Sequence, residues 1–286
     1  MNIGIIGLGL IGGSIGRALI KKTDHVVYGY DTSSDTMLKA SFLPAINHPL
    51  TDSDYICLDV LIIALNPDAF VSVAKNIIPK LKNDAIVIDI AGNKSKVLNE
   101  MRKLALDYPL INFIGTHPMA GREYSGINHS TPYLFEKASI LLIPLSQEIS
   151  KISLLKMLLL SIGFSDVIIT TDKIHDKIIA YTSQLAHIIS SSYIKSPTAI
   201  IHDGYSAGSF KDISRVARLN ADMWAELMTD NSDNLLFELD HFIASLNEYR
   251  QALTSNKRDQ LRDLLQTGSD IKTAIDKTSR EYKRKL

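Results

Sequence analysis

His117 is the residue in this 286-residue chain best suited to move a proton. It precedes Pro118 in IGTHPMAGREYSG (114–126), at the end of an apolar run and ahead of small residues. A histidine takes up or gives away a proton near neutral pH because its unperturbed pKa is about 6.5. Pro118 pushes the preceding residue into an extended conformation, which steadies the backbone that carries the imidazole. An apolar strand that halts at His117 and Pro118 would aim the side chain at a ligand; a hydrogen-bonded structural histidine is the plainer alternative.

A second set of residues has the spacing of a dinucleotide site. Gly7-x-Gly9-x-x-Gly12 follows a β-rich run and opens a helical one. Gly7 permits a tight turn, Gly9 lets the backbone approach a pyrophosphate, and Gly12 lets helix and strand pack closely. Leu10 and Ile11 lie in the first helical turn, whose free N–H groups favour phosphate. Asp31 closes the next run, HVVYGYD, where a carboxylate accepts ribose hydroxyls and repels a 2′-phosphate. TSSD after it holds no arginine, so NAD is expected over NADP. Leu65 and Asn66 (IALNPD) and Gly92 (DIAGNKSK) end further runs and join the expected cofactor set, with an Asn-Pro turn into a helix as the alternative at Asn66. No metal is expected.

The elements that must position these residues alternate. NIGIIG, HVVYGY, VLIIAL, AIVIDI, INFIGT, SILLIP and DVIIT are short Val- and Ile-rich runs separated by helical patterns. Near-continuous apolar runs of this kind mean strands buried on both faces, hence a Rossmann-like, doubly wound, mostly parallel α/β sheet. Past about residue 170 only helical spacing remains. Two domains are therefore expected, 1–168 for the cofactor and an all-helical 169–286. Long apolar faces such as NLLFELDHFIASL exceed what a small bundle covers, and predict a homodimer through the helical half.

Composition narrows the partners. Lys plus Arg and Asp plus Glu both number 31, leaving no global field to attract nucleic acid or an anionic membrane. The apolar stretch at 3–20 lacks a basic flank and carries six glycines, which suits neither a signal peptide nor a membrane helix. The single cysteine, Cys57, fits a reducing compartment, so a cytoplasmic protein is expected.

The glycine motif, GTHPMAG, SQLAH and SFKDISRVARLNADMW together resemble the prephenate/arogenate dehydrogenase family of tyrosine biosynthesis. The similarity runs over nearly the whole chain and is most specific around His117 and Arg215; it is closest to the short, monofunctional members. It implies that His117 draws the proton from the ring 4-hydroxyl of prephenate while C4 delivers hydride to NAD, after which carbon dioxide leaves and the ring becomes aromatic. Arg215 matches the family arginine that holds a substrate carboxylate. Asp212 sits one helical turn before it and would orient the guanidinium, unless the two form only a surface pair, and Arg218 is read as the solvated arginine. Ser183 and His187, at i and i+4, share a face that would close over the substrate. Trp224 is read as a packing anchor in a segment that approaches the site across the dimer. Gly121 belongs to a loop whose small residues allow close approach.

The chain departs from the family pattern at two positions. Gly92 stands where many members carry a serine that partners the catalytic histidine, which leaves Ser95 or water as substitutes. Arg122 stands where a smaller neutral residue is frequent; it would favour prephenate over arogenate, whose side chain carries an ammonium, or else be an exposed loop arginine. The competing expectations are a β-hydroxyacid or imine dehydrogenase using Lys173 or Lys177, and an NAD-binding sensor without turnover.

Overall fold

A computed structural model describes residues 1–122, 124–145 and 148–285, with side chains to residue 278. The first half alternates as β1 (Asn2–Ile6), α1 (Leu10–Lys22), β2 (Val26–Tyr30), α2 (Ser34–Phe42), β3 (His48–Pro49), β4 (Val60–Ile63) and α3 (Pro67–Ile77). It continues as β5 (Ile86–Asp89), α4 (Ser95–Asp107), β6 (Asn112–Pro118), β7 (Ser139–Pro144), α5 (Ile149–Ser161) and β8 (Asp166–Ile169). The strands form one eight-stranded sheet in the order β3-β2-β1-β4-β5-β6-β7-β8. Every neighbouring pair is parallel except β6 with β7. The expected doubly wound, mostly parallel sheet is therefore present, and its strand order reverses between β1 and β4, where such folds open a crevice at the carboxyl ends of the strands.

Alternate residues of each strand supply opposite faces. Val60 and Ile62 of β4 join Ile3, Ile5, Ile86 and Ile88 in one core, under Ile15 and Leu19 of α1 and Leu155 of α5. Leu61 and Ile63 join Val87 and Phe113 in the other, under Phe70 of α3 and Val97 and Met101 of α4. This two-sided burial is why the runs are apolar at nearly every position. β3 gave no sequence signal because it is only two residues long and exposed.

After β8 the described residues form no further strand. α6 (Asp172–Ile179) leads through a π-helix (Ala180–Leu185) into α7 (Ala186–Tyr193), followed by α8 (Gly208–Ser214) and α9 (Ala221–Asp230). α10 (Ser232–Thr254) and α11 (Arg258–Lys285) complete the chain. Two compact units result, residues 1–232 and 233 onward. Within the second, Asn256 (φ 51°) closes the turn between helices, Lys257 N–H donates to Ala252 C=O at 2.9 Å, and the Tyr249 hydroxyl donates to Leu264 C=O at 3.3 Å. No helix among the described residues is long and apolar enough to cross a membrane.

β6 ends at Pro118, where the apolar run is expected to halt, and its last residues still belong to a ladder: His117 and Pro118 pair with Leu141 and Ile140 of β7. It is the ladder to β5 that stops, at Ile114. Residues 115–118 thus run past the β5 ladder and pair through the backbone with β7 alone.

Candidate active site

The glycine turn follows β1 and enters α1. Gly7 has φ 88°, and a Cβ there would lie 2.4 Å from Ala64 O; one on Gly12 would lie 1.9 Å from Gly7 O. Both positions therefore require glycine. Nothing lies within 4 Å of the place a Gly9 Cβ would occupy, and Gly9, the N-cap of α1, leaves the helix N-terminus uncapped by any side chain. Leu10 and Ile11 stand half-buried in that first turn. Asp31 follows β2, one carboxylate oxygen accepting from Leu8 N–H at 2.9 Å and the other from Ser33 N–H at 3.0 Å. Each oxygen keeps a further lone pair for a hydroxyl. A cavity of about 380 Å³ nearby is lined by Tyr30, Leu50, Tyr55 and Val73. Open space at Gly9, free N–H groups and a carboxylate at Asp31 fit a dinucleotide. Leu65 is half-buried behind Gly7. Asn66 caps α3, its side-chain oxygen accepting from Ala69 N–H at 2.9 Å, so the turn into a helix is what its amide serves in this state.

The overhang of β6 is held by a buried ion pair. Asp89 ends β5 and accepts from Thr116 N–H at 3.1 Å and Ala91 N–H at 2.9 Å. Lys94 pairs with Asp89, their side chains 0% and 1% exposed, and also donates to Thr116 C=O at 2.6 Å. Burial draws Lys94 below its ordinary pKa, against the opposing pull of Asp89 and Asp176.

His117 lies on this overhang, partly buried, with Nδ1 2.9 Å from Nε2 of His175 on α6. The other ring nitrogen of His175 lies 2.7 Å from Asp176 Oδ1. Asp176 accepts in addition from Lys94 N–H at 2.9 Å, Ser95 N–H at 3.0 Å and the Ser95 hydroxyl. Burial opposes the charge of Asp176, yet the bonds from His175, Ser95 and Lys94 prevail and hold its carboxyl below the usual range. Burial, then the proximity of Lys94 and His175, push His117 well below its ordinary value despite Asp176. The outcome is a neutral imidazole at pH 7, ready to accept a proton. Asn231 ties this seam to the π-helix, donating to Asp176 C=O at 2.9 Å and to Gln184 at 2.8 Å; Gln184 in turn donates to Asn93 at 3.0 Å.

Gly92 has no side chain to offer His117, and a Cβ there would meet Leu227 at 3.3 Å. The hydroxyl of Ser95 serves Asp176, so the ring partner of His117 is His175. Sequence reasoning missed His175, Asp176 and Lys94. The available signal was an adjacent His-Asp pair in KIHDKII.

A second cavity, of about 400 Å³, gathers Ser183, His187, Ser190, Asp212 and Arg215. That volume lies within the range of small-molecule sites. His187 Nδ1 donates to Ser183 C=O at 2.8 Å, and its ring stacks on Trp224 with centroids 3.8 Å apart. Ser190 is 1% exposed and its hydroxyl has no partner among the described residues. Gly121 and Arg122 are exposed and line neither cavity, and Glu123 of the same loop lies outside the described residues. Arg218, Lys173 and Lys177 are exposed.

Comparison with known proteins places this geometry among relatives. Residues 15–167 match the family model described as prephenate dehydrogenase, nucleotide-binding domain, and 171–267 match prephenate dehydrogenase, dimerization domain. A cyclohexadienyl dehydrogenase of Zymomonas mobilis is 30% identical over 287 residues, covering 96% of both chains. A prephenate dehydrogenase of Lactococcus lactis is 27% identical over 95% of this chain and 77% of its own. Among solved structures, prephenate dehydrogenase from A. aeolicus, in complex with hydroxyphenyl propionate and NAD+, shares the fold with a TM-score of 0.82 at 24% identity, over 96% of this chain and 98% of that one.

Proposed function

The chain belongs to the prephenate dehydrogenase family of oxidoreductases, and from that premise we propose that it performs the NAD-dependent oxidative decarboxylation of prephenate to 4-hydroxyphenylpyruvate. The observation that carries this reading is the half-buried imidazole of His117, 2.9 Å from His175 at the carboxyl edge of the sheet that holds the glycine turn. Prephenate is favoured because relatives from Lactococcus lactis and Bacillus subtilis bear its name and because Arg122 adds a positive charge to the loop after β6.

In this reading Gly7, Gly9, Leu10, Ile11 and Gly12 hold the pyrophosphate of NAD, Asp31 takes the ribose, and Leu65, Asn66 and Gly92 border the cofactor. When bound, the nicotinamide supplies the electron acceptor for C4 of the ring. His117 accepts the proton of the 4-hydroxyl as the C4–O bond becomes a carbonyl. The carboxylate at the opposite ring carbon then leaves as carbon dioxide, its bonding electrons entering the ring and turning the carbonyl into a phenolate, to which protonated His117 returns the proton. Arg215, oriented by Asp212, pairs with a substrate carboxylate, which a guanidinium recognises with two parallel bonds. Ser183, His187 and Ser190 hold the rest of the acid, and Gly121 lets the loop close in.

Residues 1–168 act as the cofactor half and 169–286 as the substrate and pairing half. The chain pairs as a homodimer through exposed apolar positions such as Ile174, Ile178 and Tyr181; a monomer in light scattering at micromolar concentration would sink that part. The unpaired Cys57 accords with a cytoplasmic setting.

The deciding experiment is the initial rate of NADH formation with NAD and either prephenate or arogenate. A larger kcat/KM with prephenate is expected. A larger value with arogenate would change the substrate, and no turnover of either by protein that still binds NAD would overturn the reading.

A further inference from the structure

The chain of contacts behind His117 has a direction. Asp176, charged and surrounded by the N–H groups of Lys94 and Ser95 and the hydroxyl of Ser95, can only accept hydrogen bonds. The His175 Nδ1 facing its Oδ1 at 2.7 Å must therefore carry a proton. In neutral His175 this leaves a lone pair on Nε2, the atom 2.9 Å from His117 Nδ1. One partner in that contact has to donate, so His117 bears its proton on Nδ1 and its Nε2 is bare.

We propose that His175, anchored by Asp176, is a positioning residue that fixes the His117 imidazole in the Nδ1–H tautomer and so makes Nε2 the base. The inference rests on the role of His117 proposed above. A neutral imidazole has two tautomers, and only the one with a bare nitrogen towards the substrate can take a proton. The two rings are tilted 50° with centroids 5.1 Å apart, an edge contact rather than a stack, as a ring-to-ring hydrogen bond requires. His175 is 1% exposed and Asp176 3%, so water does not compete for either group. When His117 gains the substrate proton at Nε2, its charge is shared through Nδ1–H and His175 towards Asp176, which stays ionised. Lys94 is the other cation of this seam, and its charge is met by Asp89.

The test uses the full chain with labelled histidine and reads the His117 tautomer from long-range ¹⁵N–¹H couplings, beside kcat and KM. Wild type and His175→Gln should both show Nδ1–H, because the glutamine oxygen can sit where Nε2 sits and accept. His175→Leu should show a mixture or Nε2–H, with kcat lower by about tenfold or more and KM within about twofold. Cooperative thermal unfolding and retained NAD binding show that each variant is folded. An Nε2–H tautomer in wild type, as a doubly protonated His175 would impose, overturns the inference. So does His175→Leu with tautomer and kcat unchanged. Absence of turnover in wild type would defeat the proposed reaction while the couplings still decide the tautomer.

Discussion

The seam behind His117 and the cavity at Arg215 are built on opposite terms. Around His117 the buried polar groups are matched within the chain: Lys94 with Asp89 and Thr116, and Asp176 with His175, Ser95 and the Lys94 backbone. At the cavity Arg215 and Asp212 are exposed, and the buried Ser190 hydroxyl has no partner among the described residues. The first region is finished before any ligand arrives, as a group that moves protons must be if its geometry is to cost nothing at the moment of reaction. The second leaves the Ser190 hydroxyl with hydrogen-bonding capacity that no described residue uses. Changes in the first should therefore lower kcat or stability, and changes in the second should raise KM.

The largest expected effect is His117→Asn, which removes the base and should cut kcat by about 100-fold or more while substrate still binds. Steady-state rates on both substrates check it, and an unchanged kcat would take His117 out of the mechanism. The same residue predicts the pH profile. Its pKa is lowered from 6.5, and the reactive form is neutral, so activity rises with pH through a value below 6.5. The groups facing it are Lys94, His175 and Asp176. An acid limb of kcat/KM centred at or above 6.5 would contradict that environment.

Lys94→Met asks whether the seam's support is structural. It leaves Asp89 charged and buried without its cation, which costs about 3–5 kcal/mol when one partner of a buried pair is removed. Denaturant midpoints measure it. A loss below about 1 kcal/mol would mean that water or a shift of Asp89 replaces the ammonium.

The same contrast explains how much the sequence revealed. The sheet was legible because its strands are buried on both faces and its glycines sit where a side chain would collide, both of which leave marks on residue type. The seam was not. Helical periodicity in KIHDKIIAY points Ile174, Ile178 and Tyr181 inward, yet they are 53%, 52% and 60% exposed while His175, Asp176 and Ile179 are buried. α6 turns a polar face to the sheet and an apolar one outward, the reverse of an ordinary surface helix. A pattern that assumes apolar residues face the core reads such a helix backwards. The Arg215 cavity was partly legible, since Ser183, His187, Asp212 and Arg215 do line one space. Ser190 carried no signal, because a serine's lack of a partner is a property of three-dimensional surroundings.

Two smaller changes sharpen the binding side. Arg215→Gln removes a charged donor and should raise KM by about 10- to 100-fold with a lesser effect on kcat, from the 1.5–3 kcal/mol of a charged hydrogen bond. Ser190→Ala removes a neutral one and should raise KM by about 3- to 10-fold. Because no partner in the free protein loses a bond, its melting temperature should not fall. A drop in stability with KM unchanged would show that Ser190 is a packing residue.

The smallest expected effect is at Arg122, which belongs to neither region. It is exposed on the loop after β6, where an ion pair is worth about 0.2–1 kcal/mol. Arg122→Thr should thus lower kcat/KM for prephenate by about two- to fivefold. Arogenate should suffer less, because the ammonium beside its side-chain carboxylate offsets the attraction. The effect should also shrink as salt rises, since exposed charges are screened over about 8–10 Å near physiological ionic strength. Comparing the two substrates in wild type and variant at low and high salt separates charge from shape: a guanidinium acting through its field loses its preference with salt, and one that forms a desolvated pair keeps it. Equal losses on both substrates at every salt concentration would leave Arg122 without a part in choosing between them, and the choice would then rest with the cavity at Arg215.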